Sequence, residues 1–113
     1  MRRKSKMKAR RKTSAPVFAA LGDEMRLRLV FRLCNDGPLS ITRLTAGSNV
    51  TRQAITKHLR VMEHAGLVSS IRRGRESVWQ LDRQRLEEAR HYIDVISKQW
   101  DNALNRLRKF VED

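Results

Sequence analysis

Cysteine is almost absent from this sequence, where Cys34 is the single thiol among 113 residues. One thiol cannot form an internal disulfide, so the chain lacks the cross-links of small secreted domains, and a cytoplasmic location is expected. Long apolar runs are also missing, since none approaches the roughly 20 residues of a membrane-spanning helix. The basic start is not followed by an apolar segment, which argues against a signal peptide.

Acidic residues are scarce beside basic ones: 12 Asp and Glu stand against 25 Lys and Arg, giving a net charge of +13. Residues 1–12 hold eight of these cations and no acid. We predict a disordered arm over residues 1–13, either a solvated tail or a phosphate-binding arm. Residues 36–76 carry seven cations and three acids, whereas residues 86–113 are nearly balanced. This distribution favours a polyanionic partner, either nucleic acid or an anionic membrane surface.

Catalytic signatures are missing as well. Cys34 has no second thiol, and His58, His64 and His91 lack a recognisable acid partner. No glycine-rich phosphate loop and no pair of catalytic carboxylates is present. We therefore expect neither an enzyme nor a bound cofactor.

Residues 14–113 predict one folded domain that begins with two helices. Pro16 suits the first turn of a short helix, "APVFAALGD", with Ser14 or Thr13 as its cap. Asp23 caps the next helix, which Gly37 and Pro38 end. The helical spacing i, i+3, i+4, i+7 predicts a buried face made of Leu27, Val30, Phe31 and Cys34.

Two further helices have the spacing of a helix-turn-helix. After a short extended "PLS", Ser40 caps a third helix that ends at Gly47, and Thr51 caps the fourth. Its first turn contains no carboxylate, which leaves the positive end of the helix dipole uncompensated. Gly66 suits a left-handed helix end. The residues predicted to face inward are Ile55, Leu59 and Met62, with Val61 beside them.

The rest of the sequence predicts a β-hairpin followed by one long helix. Apolar residues on both sides of "RRGRE" indicate two strands with a basic tip. Asp82 caps the long helix, predicted over residues 82–111. Its apolar positions recur in steps of three and four, which predicts a helical partner along this seam. The seam consists of Leu86, Ala89, Ile93, Ile96, Trp100, Ala103, Leu107 and Phe110.

These features resemble the ArsR family of bacterial winged-helix repressors. The resemblance lies in "FAALGDEMRLRLVFRL", "PLSITRLT", "NVTRQAITKHLRVMEHAGLV" and "RRGRESVWQL", and it covers roughly residues 15–110. It implies a mostly α winged helix-turn-helix, α-α-(β)-α-α-β-β-α, with the fourth helix in a DNA major groove. It also implies a homodimer formed by the first and last helices. The interface would contain Phe18, Leu21, Leu86, Ala89, Ile93, Ile96, Trp100 and Leu107.

Two groups of side chains are candidates for contact with double-stranded DNA. A groove-reading helix uses its leading end on base edges. We assign base reading to Arg52, Gln53, Thr56 and Lys57. Phosphate contacts supply affinity that falls with salt but little sequence information. We assign these to Arg43, Thr51, His58, Arg60, Arg72, Arg73 and Arg75, with packing as the alternative for His58.

The sequence does not predict a metal site. Soft-metal members of the family place two cysteines in the third helix, where this chain has Ser40, Thr42 and Arg43. Zinc-sensing members use carboxylate and His pairs on the last helix. Here His91 and Asp94 follow Glu87 and Glu88, but a second His is missing.

The expected function is that of a homodimeric, sequence-specific repressor that binds an imperfect inverted repeat in promoter DNA. Two alternatives stay open: an architectural DNA-binding protein that depends on the basic arm, and a winged-helix module that binds another protein. A small-molecule or protein effector also remains open.

Overall fold

The computed structural model describes residues 13–112, and within that range five helices and three strands follow one another. The first part comprises α1 (Ala15–Leu21), α2 (Glu24–Asp36), β1 (Leu39–Ser40) and α3 (Ile41–Thr45). The second part comprises α4 (Arg52–His64), β2 (Val68–Arg73), β3 (Glu76–Leu81) and α5 (Arg83–Glu112). The predicted winged helix-turn-helix order is confirmed.

Short polar side chains fix where the helices begin. Asp23, Ser40 and Thr51 each accept a hydrogen bond from the backbone N–H three residues later, at 3.0, 3.2 and 3.1 Å. Asp82 does the same for α5, at 3.1 Å. Each bond satisfies one of the N–H groups that have no partner inside their own helix. The start of α1 differs, because Ser14 makes no capping bond with its side chain and the Thr13 hydroxyl accepts from the N–H of Ala15.

The strands form one small antiparallel sheet in the order β1-β3-β2. In the hairpin, Val68 lies opposite Leu81 and Arg73 lies opposite Glu76. The two-residue turn between them contains Gly74, whose φ of 60° is strained for a residue with a side chain. β1 adds to the hairpin by pairing Leu39 with Trp79, which ties the wing to the segment just before α3.

The core lies between α1–α4 and the sheet, and the beginning of α5 closes it. Its most deeply buried members include Val17, Leu44, Ile55, Leu59, Met62 and Leu67. The predicted inward face of α4 is confirmed for Ile55, Leu59 and Met62, but Val61 is exposed. On α5, Ala89 is the last buried position. At 1.5 Å per residue, about 35 Å of this helix extends beyond it.

The predicted buried face of α2 was wrong in three of its four residues. Leu27 and Phe31 are exposed, Phe31 by 60%, and the Cys34 thiol is exposed as well. The core instead takes Leu29, Val30 and Leu33. The predicted stripe and the observed one both follow helical periodicity, and both contain Val30. Periodicity alone therefore does not show which of the two is buried. Arg26 shows which side faces inward, because its Nε donates to the carbonyl oxygen of Ala20 at 2.7 Å.

None of the helices within residues 13–112 is long and apolar enough to cross a membrane. The predicted arm lies outside the described residues except for Thr13, whose carbonyl oxygen accepts a hydrogen bond from Arg85.

Candidate nucleic-acid interface

The leading end of α4 is presented outward because the opposite side of the helix is anchored in the core. Ile55, Leu59 and Met62 are buried. Gln53 and Lys57 are exposed on the side opposite to this buried stripe, one helical turn apart. Both side chains are thus free of the core and could reach base edges if α4 lay in a DNA groove.

Arg52 and Thr56 lie between this outward side of α4 and the wing. They line an open cleft of about 360 Å³ together with Thr42 of α3 and Arg75 and Ser77 of the hairpin. The Thr56 hydroxyl donates to the carbonyl oxygen of Arg52 at 2.8 Å, so its oxygen and methyl group are what it offers to a ligand. The cleft brings cations and hydroxyl groups from three elements together.

A second, more open cleft of about 510 Å³ continues this surface beside α3. It places Arg43 near Arg73 of the wing and shares Ser40, Thr42 and Glu76 with the first cleft. The two clefts therefore bring together Arg52 and Thr56, two of the predicted base-reading residues, with several of the predicted phosphate-binding arginines, Arg43, Arg60, Arg73 and Arg75. Glu76 and Asp36 are acidic side chains on this surface, and an adjacent phosphate would be repelled by their charges.

The wing presents its arginines because both faces of its tip are solvated. Arg72, Arg73 and Arg75 are exposed, and Arg72 lies opposite Ser77 across the hairpin. The Arg72 Nε donates to the carbonyl oxygen of Gly74 at 3.4 Å, which leaves the rest of its guanidinium directed to solvent. Three cations at a narrow tip suit the phosphates beside a groove.

Arg60 has protein partners that the sequence did not reveal. Its Nη1 donates to Oε1 of Glu63 at 2.9 Å, and its guanidinium carbon lies 5.5 Å from the ring centre of Trp79. A cation–π contact at an exposed site contributes a modest attraction, roughly 0.5–1 kcal/mol. These contacts link α4 to the wing, and because the Arg60 side chain is 58% exposed and lines the first cleft, its contact with phosphate stays a prediction.

His58 lies on the other flank of α4, against the beginning of α2. It is partly buried, and its Nδ1 is 3.3 Å from Nη1 of Arg26 and 4.0 Å from Oδ1 of Asp23. The hydrogen bond from the Arg26 backbone N–H is the main cause that lowers the pKa of Asp23, and the charge of Arg26 adds to it. These contacts fit the packing alternative for His58, which we leave out of the proposed phosphate contacts.

The last helix carries an exposed apolar face. Phe18 and Leu21 of α1 and Leu86 of α5 pack against the core and remain partly exposed. The Phe18 and Tyr92 rings lie 6.3 Å apart, which joins α1 to this face. Ala89 is buried within its own chain, so we remove it from the residues assigned to direct dimer contact. The large exposed side chains of the predicted seam are Ile93, Ile96, Trp100, Leu107 and Phe110.

Among residues 13–112, no group of three or more His, Cys, Asp or Glu side chains is arranged to hold a metal ion. Glu87 and Glu88 are instead near arginines, Arg90 at 3.7 Å and Arg85 at 3.4 Å. His91 and Asp94 are exposed on α5.

Sequence reasoning missed three side chains, two that line this surface and one at the far end of α4. Thr42 and Ser77 line the cleft, and the pairing of Ser77 with Arg72 across the hairpin was the available signal. Arg85, for which the sequence suggested no role, is buried. Nothing in its local sequence distinguishes it from the exposed arginines.

An anchored helix with a polar leading end, a basic hairpin beside it and clefts between them define a winged helix-turn-helix DNA-binding protein. The family model described as "Bacterial regulatory protein, arsR family" matches residues 23–70. The chain is 41% identical over 68 residues to the uncharacterized HTH-type transcriptional regulator YuzN of Bacillus subtilis (strain 168), covering 55% of this chain and 74% of that protein. It is 31% identical over 65 residues to the arsenical resistance operon repressor of the same organism, covering 58% and 62%.

Among solved structures, an ArsR-like transcriptional regulator from Rhodococcus sp. RHA1 superimposes with a TM-score of 0.76 at 33% identity, over 86% of this chain and 91% of the other. The chain belongs to the ArsR family: it is a DNA-binding transcriptional regulator and not an enzyme.

Proposed function

We propose that this regulator is a homodimeric repressor that binds an imperfect inverted repeat in promoter DNA. The observation that carries the proposal is the combination of one exposed recognition surface per chain with one long helix that has an exposed apolar face. Two copies joined along that face would present two recognition helices to one duplex. The arsenical resistance operon repressor of Bacillus subtilis, a similar protein, supports the repressor role.

The exposed face of α5 supports a second copy as its partner. Trp100 and Phe110 are large apolar side chains on the same side of α5, and they are 62% and 81% exposed. Large apolar patches on a protein surface mark interaction sites. The charges along residues 86–113 nearly cancel, so two such helices would not repel each other strongly.

Base reading is assigned to the outward and wing-facing residues of α4. Gln can read adenine and Arg can read guanine through paired hydrogen bonds, each worth roughly 1–3 kcal/mol of discrimination. The proposed readers are Arg52, Gln53, Thr56 and Lys57. The proposed phosphate contacts are Arg43, Thr51, Arg60, Arg72, Arg73 and Arg75.

Selection of bound sequences from random duplexes tests this function. The expected result is an inverted repeat with half-sites about one or two helical turns apart, that is, about 10 or 20 base pairs between centres. A regulated promoter carrying this sequence should be transcribed less in vitro when the protein is added. Equal, weak binding to all duplexes would contradict the proposal.

An architectural role remains the second candidate, and the charge of residues 1–12 favours it. A variant that lacks these residues distinguishes the two. Under our proposal, sequence preference survives the deletion and only the salt dependence of binding becomes weaker. Loss of all binding would support the architectural role instead.

A further inference from the structure

The first turn of α5 lies beside the C-terminal end of α4 in space, although the hairpin separates them in the chain. A buried charged side chain, Arg85, joins the two helices at this point, which we call the joint. Arg85 is 2% exposed. Its Nε donates to the carbonyl oxygen of Ala65, the C-cap of α4, at 3.0 Å. Its Nη2 donates to the carbonyl oxygen of Thr13 at 3.0 Å, and its Nη1 lies 3.4 Å from Oε1 of Glu88. One guanidinium thus connects the end of the recognition helix, the segment before α1 and the first turns of the long helix.

Backbone hydrogen bonds close the same joint. The N–H of Asp82 donates to the carbonyl oxygen of Leu67 at 2.9 Å, and the N–H of Leu67 donates to that of Met62 at 2.9 Å. Between them, Gly66 has a φ of +79°. A Cβ added at Gly66 would lie 3.4 Å from Nε of Arg85. That distance is about van der Waals contact, so the positive φ is what favours glycine in this turn beside the guanidinium.

Because the Arg85 guanidinium is buried, its orientation is restricted to those that satisfy its hydrogen bonds. A guanidinium removed from water is stable only when its donors have partners in good geometry. The planar fork of Arg fixes the directions of its hydrogen bonds, whereas the ammonium of Lys acts as a point charge. A rotation of α5 relative to α4 would pull the Ala65 carbonyl away from Nε. The joint therefore favours one angle between the two helices.

We propose that Arg85 is a positioning residue that fixes the angle between α4 and α5, and through it the distance between the two recognition helices of the dimer. That distance determines which half-site spacing the protein accepts. The inference rests on the proposed homodimer, because α5 would be the helix that holds the second copy.

Measuring the distance between recognition helices without DNA tests the joint directly. A spin label at Gln53→Cys, in a Cys34→Ser background, reports this distance by double electron–electron resonance. We expect one narrow distribution for the otherwise unchanged protein and a broadened or shifted one for Arg85→Lys. Arg90→Lys is the matched control, since Arg90 lies on the same helix and is exposed. An Arg85→Lys distribution as narrow as the control's, at the same distance, would overturn the proposal.

A second variant perturbs the same joint without changing a charge. Gly66→Ala places a methyl group against the Arg85 guanidinium and strains the turn. It should broaden the distribution in the same way. Either variant, if folded and dimeric with the distribution of the unchanged protein, counts against the joint.

Binding to duplexes with the half-sites moved apart one base pair at a time gives the functional measurement. We expect Arg85→Lys to reduce affinity at the preferred spacing by on the order of tenfold, because a loosened dimer must be ordered on binding. At the other spacings, the affinity of the variant should be nearly the same as that of the unchanged protein. The Arg90→Lys control should keep the original preference. If the unchanged protein shows no preferred spacing, the proposed function fails; if Arg85→Lys keeps the original preference, the inference about Arg85 fails.

Discussion

Gln53 is the residue on which the proposed sequence preference depends most. Its side chain is exposed opposite the buried stripe of α4, where it can form two hydrogen bonds to adenine. Gln53→Ala should cost about 1–3 kcal/mol against the preferred duplex and much less against a random one. Competition binding with both duplexes measures the difference. An unchanged preferred sequence would mean that another part of α4 faces the bases.

Arg73 should behave differently because it lies on the wing, near Arg43, where phosphates are the expected partners. Arg73→Ala should weaken binding to all duplexes alike and lower the slope of log affinity against log salt by about one. Arg90→Ala removes the same charge from exposed α5 and serves as control. A change in sequence preference with Arg73→Ala would place this residue at a base edge.

The contacts of Arg60 and His58 show how far the sequence could define individual side chains, since packing was the stated alternative for His58 but the contact of Arg60 with Trp79 was not predicted. Their partners in the folded chain, Trp79 for Arg60 and Arg26 for His58, come from other elements. Local spacing cannot show such contacts. By contrast, the exposure of Gln53 and Lys57 follows from the periodicity of α4 alone, which is why that part of the surface could be predicted.

Among the elements, helix starts were predictable and helix faces were not always so. Capping depends on a side chain and an N–H three residues apart, and Asp23, Ser40, Thr51 and Asp82 all cap as predicted. The buried side of α2 depends on where α1 and the sheet lie. The sequence offered two equivalent stripes there, and burial of Leu33 rather than Phe31 is a property of the assembled fold.

The cap of α2 gives a pH-dependent prediction. The Asp23 pKa is lowered from its ordinary value of 3.8, so the folded state favours the charged carboxylate. This contribution to stability is fully present above pH 3.8 and is lost as the pH falls through the lower pKa of the folded state. Asn caps helices as well as Asp but does not titrate in this range.

Urea unfolding of the unchanged protein and of Asp23→Asn over a series of pH values measures this contribution. The difference in free energy of unfolding that is due to the charge should stay constant above pH 3.8 and shrink below it. A difference that is constant through this range would show that the carboxylate charge contributes nothing to the cap.

For the molecule as a whole, the exposed face of α5 is the feature that a single chain does not explain. Trp100 lies in the middle of this face and is 62% exposed. Trp100→Glu should dissociate the dimer, because it places a charge where an apolar side chain would be buried. Sedimentation velocity measures the change, and loss of binding to the inverted repeat should accompany it.

Asn102→Glu is the control for this variant. It introduces the same charge on the opposite side of α5, so the dimer should persist. A dimer of normal stability with Trp100→Glu would show that the partner of this face is not a second copy, and a winged-helix module for another protein would become the better interpretation.

The number of chains on one operator tests the central claim most directly. Sedimentation of the protein with a duplex that contains the selected inverted repeat should show two chains per duplex. A duplex with one half-site replaced should bind far more weakly, because only one of the two linked recognition helices would find its sequence. One chain per duplex, with the same affinity for both duplexes, would contradict the account.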